Sequence, residues 1–250
     1  MSSTIESIQP DLAGLHCPAG EFHIDPWHAV ECAIITHAHS DHFVAGCGKY
    51  ITSRDGVDIL RLRLGEEAVI EPLEYAESRV FGRTKLTLQP AGHIRGSAQV
   101  SVEAADSVTV ITGDFKREED PTCQPFEPLP CDTLFTESTF GLPIYRWPDP
   151  QDVVTEIEAW WRENQQAGRA SVLFAYALGK AQRVLASLTS DIGSIYTHGA
   201  VERLCAVYRA AGVALPETTL ATNLPRGTDW SQSLILAPPS AIASPWLKRF

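Results

Sequence analysis

The sequence has little that would place the protein in a membrane or in an oxidising compartment. No apolar run in its 250 residues is long enough to cross a bilayer, and the first ten residues lack the basic and apolar segments of a secretory signal. The six cysteines, Cys17, Cys32, Cys47, Cys123, Cys131 and Cys205, are scattered without closely spaced pairs. We therefore expect free thiols in a reducing cytoplasm, and neither a disulfide framework nor a zinc finger.

The sequence also lacks an excess of positive charge, since its formal net charge is −11. A protein that binds nucleic acid gains affinity by neutralising phosphates, so this charge counts against such a function. Bound divalent ions would offset part of it locally, and the global charge says little about a single groove. Hydrophobic residues make up 44% and charged residues 20%, which is ordinary for a soluble globular protein. A length of 250 residues suffices for one large domain or for a domain with an insertion.

Four potential metal ligands fall within six residues of the segment 34–42. Ile34 and Ile35 predict the end of a buried strand, and the ligands follow directly as His37, His39, Asp41 and His42. In an extended chain, His37 and His39 would point to the same side, and a turn at Asp41 would bring the other two towards them. Imidazoles and a carboxylate around one point suit zinc or a similar divalent ion, which we favour over a solvated polar loop.

Three further candidates come directly after predicted strands. His93 follows the alternating stretch 85–90, Asp114 follows the β-branched run 108–112, and Asp25 follows Phe22–Ile24. Asp25 could orient a ligating histidine, but Asp-Pro is also a common turn, and the residues alone leave both interpretations open. His23 and His28, on either side of Asp25, are interpreted as structural or surface groups.

The second half of the chain alternates predicted strands and helices, which indicates a parallel α/β unit. Asp149 and Pro150 predict a helix start, and Val153, Ile157, Trp160 and Trp161 would form its buried face. Further on, Gly179, Lys180 and Arg183 lie where a strand turns into a helix. Backbone amides and basic side chains there could hold a phosphate, although solvated basic residues are an equally good interpretation.

The run His-x-His-x-Asp-His resembles the signature of the metallo-β-lactamase fold superfamily. The resemblance implies two divalent metal ions, zinc or alternatively manganese. The implied ligands are His37, His39 and His93 for one ion and Asp41 and His42 for the other, with Asp114 bridging. Asp41 is also implied to take up a proton during catalysis, and Asp25 to support a ligand.

The string Glu137-Ser-Thr-Phe-Gly141 resembles a motif of the β-CASP branch, whose members are nucleases that act on DNA or RNA. In that branch the acidic residue, here Glu137, supports proton transfers. The chain resembles most the bacterial ligase-associated DNA exonuclease group. The resemblance implies an α/β fold with a partial αββα sandwich at 1–141 and an inserted β-CASP cap at 142–250. It also implies DNA as substrate and, as partners, an ATP-dependent DNA ligase and a helicase.

The chain departs from the family pattern in one respect. Family members return from the cap to the catalytic domain and supply another histidine ligand, whereas this chain ends at Phe250. We therefore expect a truncated chain with a weakened second metal site. Three alternatives remain open at this point: an RNA-processing nuclease, a hydrolase of thioesters or lactams, and a non-catalytic remnant that binds nucleic acid or protein.

Overall fold

The computed structural model describes residues 8–189 and 191–250, which form two compact units. The first unit is Met1–Thr139 and the second is Phe140–Phe250. Residues 1–7, which hold most of the stretch considered above as a secretory signal, and residue 190 lie outside the described residues. Among the helices that the structure describes, none is both long and apolar enough to cross a bilayer.

The first unit contains two β-sheets. One sheet has six strands in chain order: β1 Gln9–Pro10, β2 Leu15–Cys17, β3 Phe22–Ile24, β4 Cys32–Ile34, β5 Lys49–Ser53 and β6 Ile70–Leu73. Its first three strands pair antiparallel and β3 to β6 pair parallel, with helix α1, Val57–Leu64, between β5 and β6. The other sheet has the order β11-β10-β9-β8-β7, formed by β7 Ser78–Phe81, β8 Thr84–Pro90, β9 Ala98–Ala104, β10 Ser107–Ile111 and β11 Thr133–Phe135.

The two sheets of the first unit share one hydrophobic core. Along β8 the buried positions alternate, so that Leu86 and Leu88 point inward with Val100 and Val102 of the neighbouring strand. The opposing sheet contributes other fully buried side chains to the same cluster, among them Ile34. Each such side chain stabilises the fold by roughly 1.5–3 kcal/mol through burial. The strands that carry candidate residues at their ends are therefore held rigidly.

The second unit is a parallel α/β unit, as the sequence predicts. Its sheet has the order β12-β15-β13-β14, and all neighbouring strands are parallel. The strands are β12 Ser171–Phe174, β13 Ile195–Thr197, β14 Thr219–Leu220 and β15 Leu234–Ala237. The helices are α2 Pro150–Gln166, α3 Lys180–Ser187 and α4 Gly199–Ala210.

Helix α2 confirms most of the expectation for its N-terminus and its buried face. The Asp149 side chain accepts a hydrogen bond from the backbone amide of Gln151 at 2.8 Å, as an N-cap residue does. Trp161 is fully buried, and Ile157 and Trp160 pack against the same core. The expectation was wrong for Val153, which is 37% exposed because it lies in the first turn, beyond the edge of the core.

Candidate metal centre

The histidine run lies in a loop rather than in an extension of the strand. β4 ends at Ile34, one residue earlier than the apolar pattern suggests, because the buried backbone then turns towards the carboxylate of Asp25. Asp25 accepts hydrogen bonds from the Thr36 amide at 2.8 Å and from the Thr36 hydroxyl at 2.5 Å. The expected turn follows at Asp41, where the His42 amide donates to the carbonyl of His39 at 3.1 Å.

Four of the predicted ligands converge on one point. His37, His39, His93 and Asp114 each offer one ligand atom, and these atoms lie within 4.8 Å of one another. The distances are 2.9 Å from His37 Nε2 to His39 Nδ1 and 3.2 Å from His39 Nδ1 to His93 Nε2. Asp114 Oδ2 lies 3.8 Å from His37 Nε2 and 3.6 Å from His93 Nε2.

These distances fit a tetrahedral divalent ion. Zinc binds nitrogen and oxygen at roughly 2.0–2.1 Å, which places tetrahedral ligands about 3.3 Å from one another. The four measured distances lie on both sides of that value, and three imidazole nitrogens with one carboxylate oxygen are a suitable donor set for zinc or manganese. The residues present therefore fit a resident metal ion without rearrangement of the backbone.

His42 and Asp41 lie beside this group. Asp114 directs its second oxygen, Oδ1, to His42 Nε2 at 3.3 Å, so that its two oxygens face different histidines. Asp41 Oδ2 lies 3.8 Å from the same His42 nitrogen, and its side chain is 78% exposed. The arrangement gives Asp114 a bridging position and leaves Asp41 open to water.

Asp25 determines which nitrogen of two histidines faces the centre. Its Oδ2 lies 2.7 Å from His42 Nδ1, which must donate, so that Nε2 is the nitrogen that faces Asp114 and the centre. The Thr36 hydroxyl donates its one hydrogen to Asp25 and therefore accepts from His37 Nδ1, 3.1 Å away. His37 thus also presents Nε2 to the centre. Thr36 is a functional residue that sequence reasoning missed, since a hydroxyl beside a histidine carries no distinct signal.

Burial and hydrogen bonding shift the pKa values of the histidines at the centre in opposite directions. Burial, together with the neighbouring histidines, holds the pKa of His37 well below its usual value, and burial with His39 lowers that of His93 to about 4. Both rings are therefore neutral and can donate lone pairs. Burial opposes a charge on His42, but the hydrogen bonds with Asp114 and Asp25 outweigh it and raise its pKa to about 10. The hydrogen bond from His42 lowers the pKa of Asp114 in turn.

Gly113 allows the chain to reach Asp114. Its φ is +55°, and a Cβ at this position would lie 2.7 Å from the Thr36 side chain. Glycine is the residue that adopts this conformation without strain and leaves room for Thr36. The close approach brings the end of β10 next to the histidine loop.

Glu137 lies at the margin of this group. Its Oε2 accepts a hydrogen bond from the Thr139 amide at 2.8 Å, and its negative charge acts to raise the pKa of His93. Glu137 follows β11, which pairs parallel with β10, so that it leaves the sheet beside Gly113 and Asp114. Its position is that of a supporting charge rather than of a member of the four-atom group.

The predicted phosphate-binding residues lie in the second unit, at the start of α3. Gly179 caps the helix with φ +83°, and its amide donates to Gln182 Oε1 at 2.8 Å. The Gly179 amide therefore already donates its hydrogen to a side chain of the protein. Lys180 Nζ lies 5.0 Å from the centre of the Tyr176 ring, and Arg183 follows on the first turn of the same helix.

His198 caps a helix of the second unit. Its Nδ1 accepts a hydrogen bond from the Ala200 amide at 3.1 Å, and its ring packs edge-on against Trp246. This cap starts α4 at Gly199. The geometry gives His198 a structural role in the second unit.

Comparisons with known proteins identify the class of the molecule. The chain is 30% identical over 241 residues to a protein of Opitutus terrae named "Probable DNA ligase", which covers 94% of this chain. It is 28% identical over 214 residues to an RNase J-like protein of Methanocaldococcus jannaschii and 29% identical over 211 residues to ribonuclease TTHA0252 of Thermus thermophilus. The relatives include β-CASP nucleases of the metallo-β-lactamase superfamily. The chain belongs to the β-CASP branch. No family model matches it.

The β-CASP chain corresponds to only part of each relative. It spans 23% of the ligase-named protein, 50% of the RNase J-like protein and 46% of the ribonuclease. A crystal structure of an Enterococcus faecalis protein of unknown function has the same fold, with a TM-score of 0.57 and 14% sequence identity. The match covers 82% of this chain and 58% of that one. The relatives as a class support divalent metal use and the hydrolysis of nucleic acids.

Proposed function

We propose that this β-CASP chain is a metal-dependent phosphodiesterase that acts on DNA, as an exonuclease in repair or end processing. The observation that carries the proposal is the convergence of His37, His39, His93 and Asp114 at distances that suit a tetrahedral ion. His42 and Asp41 would hold a second ion, with Asp114 shared between the two. Zinc fits this nitrogen-rich set best, and manganese is the alternative.

The chain's own residues would position the reaction. Asp25 and Thr36 bond Nδ1 of His42 and His37, so that Nε2 of each ring faces the centre. His42 would lose the hydrogen on its Nε2 when it binds an ion. The exposed Asp41 carboxylate would accept the proton of the attacking water, and Glu137 would orient neighbouring groups or relay protons beside His93.

The reaction joins a water oxygen to phosphorus and breaks one phosphorus–oxygen ester bond, and the leaving oxygen gains a proton. Divalent ions would supply Lewis acidity to the water and to the phosphate at this centre. A hydrolase of this kind needs no nucleophilic side chain, which agrees with a centre built from histidines and carboxylates.

The match to the ligase-named protein favours DNA, because it extends over 94% of this chain. An enzyme that trims DNA ends has an evident use beside one that seals them, so we also propose an ATP-dependent DNA ligase as partner, with a helicase as a further one. We further propose that residues 1–141 belong to an αββα sandwich and that residues 142–250 form the β-CASP cap.

A ribonuclease is the second candidate function. Its support is the names of several relatives, including RNase J-like protein and ribonuclease TTHA0252, which match 72% and 74% of this chain. A thioester or lactam hydrolase has no comparable support.

Matched substrates test the proposal. End-labelled DNA and RNA of one sequence, single- and double-stranded, are incubated with the chain and with zinc or manganese. We expect DNA to be shortened from one end, and we expect His37→Ala with His39→Ala to abolish both cleavage and tight metal binding. His28→Ala, which removes an exposed histidine outside the centre, is the control and should leave both cleavage and metal binding unchanged.

Cleavage of RNA alone would replace the proposal with the second candidate. Less than stoichiometric metal, together with no cleavage of either substrate, would instead indicate a non-catalytic module that binds nucleic acid or protein.

A further inference from the structure

A second group of metal-ligating side chains lies on the outer face of the six-stranded sheet. His16 on β2 and His23 on β3 are directly opposite each other in the antiparallel pair. Their neighbours Cys17, Phe22 and Ile24 point into the core, so the period-two alternation of the strands turns both histidines outward. None of these residues belongs to the centre described above.

Asp11 brings a carboxylate to the two rings. Its Oδ2 lies 2.9 Å from His23 Nε2 and 3.5 Å from His16 Nδ1. Its Oδ1 accepts hydrogen bonds from the amides of Ala13 at 2.7 Å and Gly14 at 3.1 Å, so the loop fixes the carboxylate with one oxygen aimed at both nitrogens. All three ligand atoms lie within 4.8 Å of one another.

A simple ion pair accounts for only one of these contacts. An Asp–His pair explains the approach of His23, but it does not explain why the second imidazole nitrogen faces the same oxygen. The two measured distances lie on both sides of the roughly 3.3 Å that separates tetrahedral ligands of zinc. The side chains are 40%, 31% and 14% exposed for Asp11, His16 and His23, so an ion can enter and water can complete its coordination.

The rings need one adjustment to share an ion. They are stacked 4.3 Å apart with planes 8° from parallel, so their nitrogens face Asp11 side by side. An ion would replace the hydrogen that His23 Nε2 shares with Asp11, and one ring would have to rotate about its Cβ–Cγ bond, a broad torsion, to aim both nitrogens at it. His16, whose side chain is 31% exposed against 14% for His23, is the ring with more room to rotate.

The loop that carries Asp11 is packed against the turn that carries Asp25. The Trp27 amide donates to the Ala13 carbonyl at 2.7 Å. A Cβ on Gly14 would lie 3.3 Å from the Pro26 Cα, which shows how closely the two backbones approach. An ion that immobilises Asp11 would therefore immobilise the turn whose carboxylate positions His42 and Thr36.

We propose that Asp11, His16 and His23 bind a zinc ion, separate from the catalytic centre, that clamps the loop 11–14 onto the Asp25 turn. The ion is structural, so the inference does not depend on nuclease activity. It predicts that zinc protects the turn from local opening even when no substrate is present.

Anomalous scattering at the zinc edge gives the direct test on the unaltered chain. Crystals grown with zinc should show a peak beside His16 and His23 as well as one at the catalytic centre. In solution, His16→Gln with His23→Gln should bind about one equivalent of zinc fewer than the parent chain, and His28→Gln should bind as much as the parent. Saturating zinc should also slow hydrogen exchange of the Trp27 amide less in the double variant than in the parent.

The anomalous peak and the zinc stoichiometry together test the proposed site. An empty cluster in crystals whose catalytic centre is occupied would overturn it, even if the double variant failed to fold. Equal zinc content in the parent and in a folded double variant would do the same. Loss of zinc in the double variant with unchanged exchange at Trp27 would contradict the clamp.

Discussion

At the residue scale, the Asp25 carboxylate has the widest influence on the centre. It accepts from two groups of Thr36 and from His42, and through Thr36 it reaches His37. Its φ of +44° is unusual for a residue with a side chain, and the surrounding hydrogen bonds hold it there. The backbone conformation of Asp25 in this turn is thus also the one that directs the carboxylate to the histidines.

Thr36 should matter for metal affinity although it cannot itself reach the ion. Thr36→Val keeps the shape but leaves the Asp25 oxygen and the His37 ring without their shared hydroxyl. We expect metal affinity to fall about 10- to 100-fold, as for other residues that orient metal ligands. Competition with a chelator measures this fall. Thr36→Ser restores the hydroxyl and should return most of the affinity, whereas equal affinity of the valine variant would show that the hydroxyl does not orient His37.

Glu137 should affect turnover more than metal loading, since it lies outside the four-atom group. We expect Glu137→Gln, which removes the charge near His93 and keeps the size, to lower kcat about 10- to 100-fold with metal content near that of the parent. Turnover and metal content are measured on the same preparation. Glu118→Gln is the control, because Glu118 is an exposed acid of the same unit. A parallel loss of metal would make Glu137 a ligand.

Sequence reasoning located most candidates of the centre because each follows a strand end. Ligands such as His93 and Asp114 are visible in the chain as single residues after apolar runs, and the structure brings them together. Contacts between outward-facing residues of different strands give no comparable signal in the sequence. Neither segment alone indicates that β2 pairs with β3. The sequence therefore favours a structural or surface role for His23, although its side chain lies against His16 and Asp11 in the structure.

At the scale of elements, the helix caps were the most predictable features and the strand ends the least. Asp149 and Pro150 fix the start of α2 through local chemistry alone. β4 ends one residue early because Asp25 accepts a hydrogen bond from the Thr36 amide, and such a side-chain contact cannot be seen in a hydrophobic pattern.

The α2 cap gives an element-scale prediction. Asp149→Ala removes the acceptor for the Gln151 amide, so we expect the free energy of unfolding to fall by about 0.5–2 kcal/mol. Urea denaturation measures this difference. Asp149→Ser, whose hydroxyl can accept the same bond, should lose only a small part of it. If both variants were equally destabilised, the negative charge at the helix start would matter more than the hydrogen bond.

At the scale of the whole molecule, the negative charge is distributed unevenly. The unit Met1–Thr139 has 10 Lys and Arg residues against 22 Asp and Glu residues, a net charge of −12. The unit Phe140–Phe250 has 10 against 9, a net charge of +1. Two acids of the first unit, Asp41 and Asp114, are those that metal ions would neutralise. The net charge of −11, which counts against a nucleic-acid enzyme in the sequence alone, therefore belongs to the unit with the metal centre.

This distribution predicts that the second unit supplies most contacts with phosphate. Lys180→Gln with Arg183→Gln should weaken the binding of single-stranded DNA, measured by fluorescence anisotropy with EDTA present to prevent cleavage. If each residue neutralises one phosphate, the slope of log affinity against log salt should become shallower by about 1.4, since each contact with a single strand contributes about 0.7. Arg54→Gln with Lys85→Gln is the control, because it removes two basic residues of the acidic first unit. The control should change the slope less than the first pair, since we expect the first unit to supply few contacts with phosphate. An unchanged slope in the first pair would remove Lys180 and Arg183 from the phosphate-binding surface and leave the start of α3 with a structural role only.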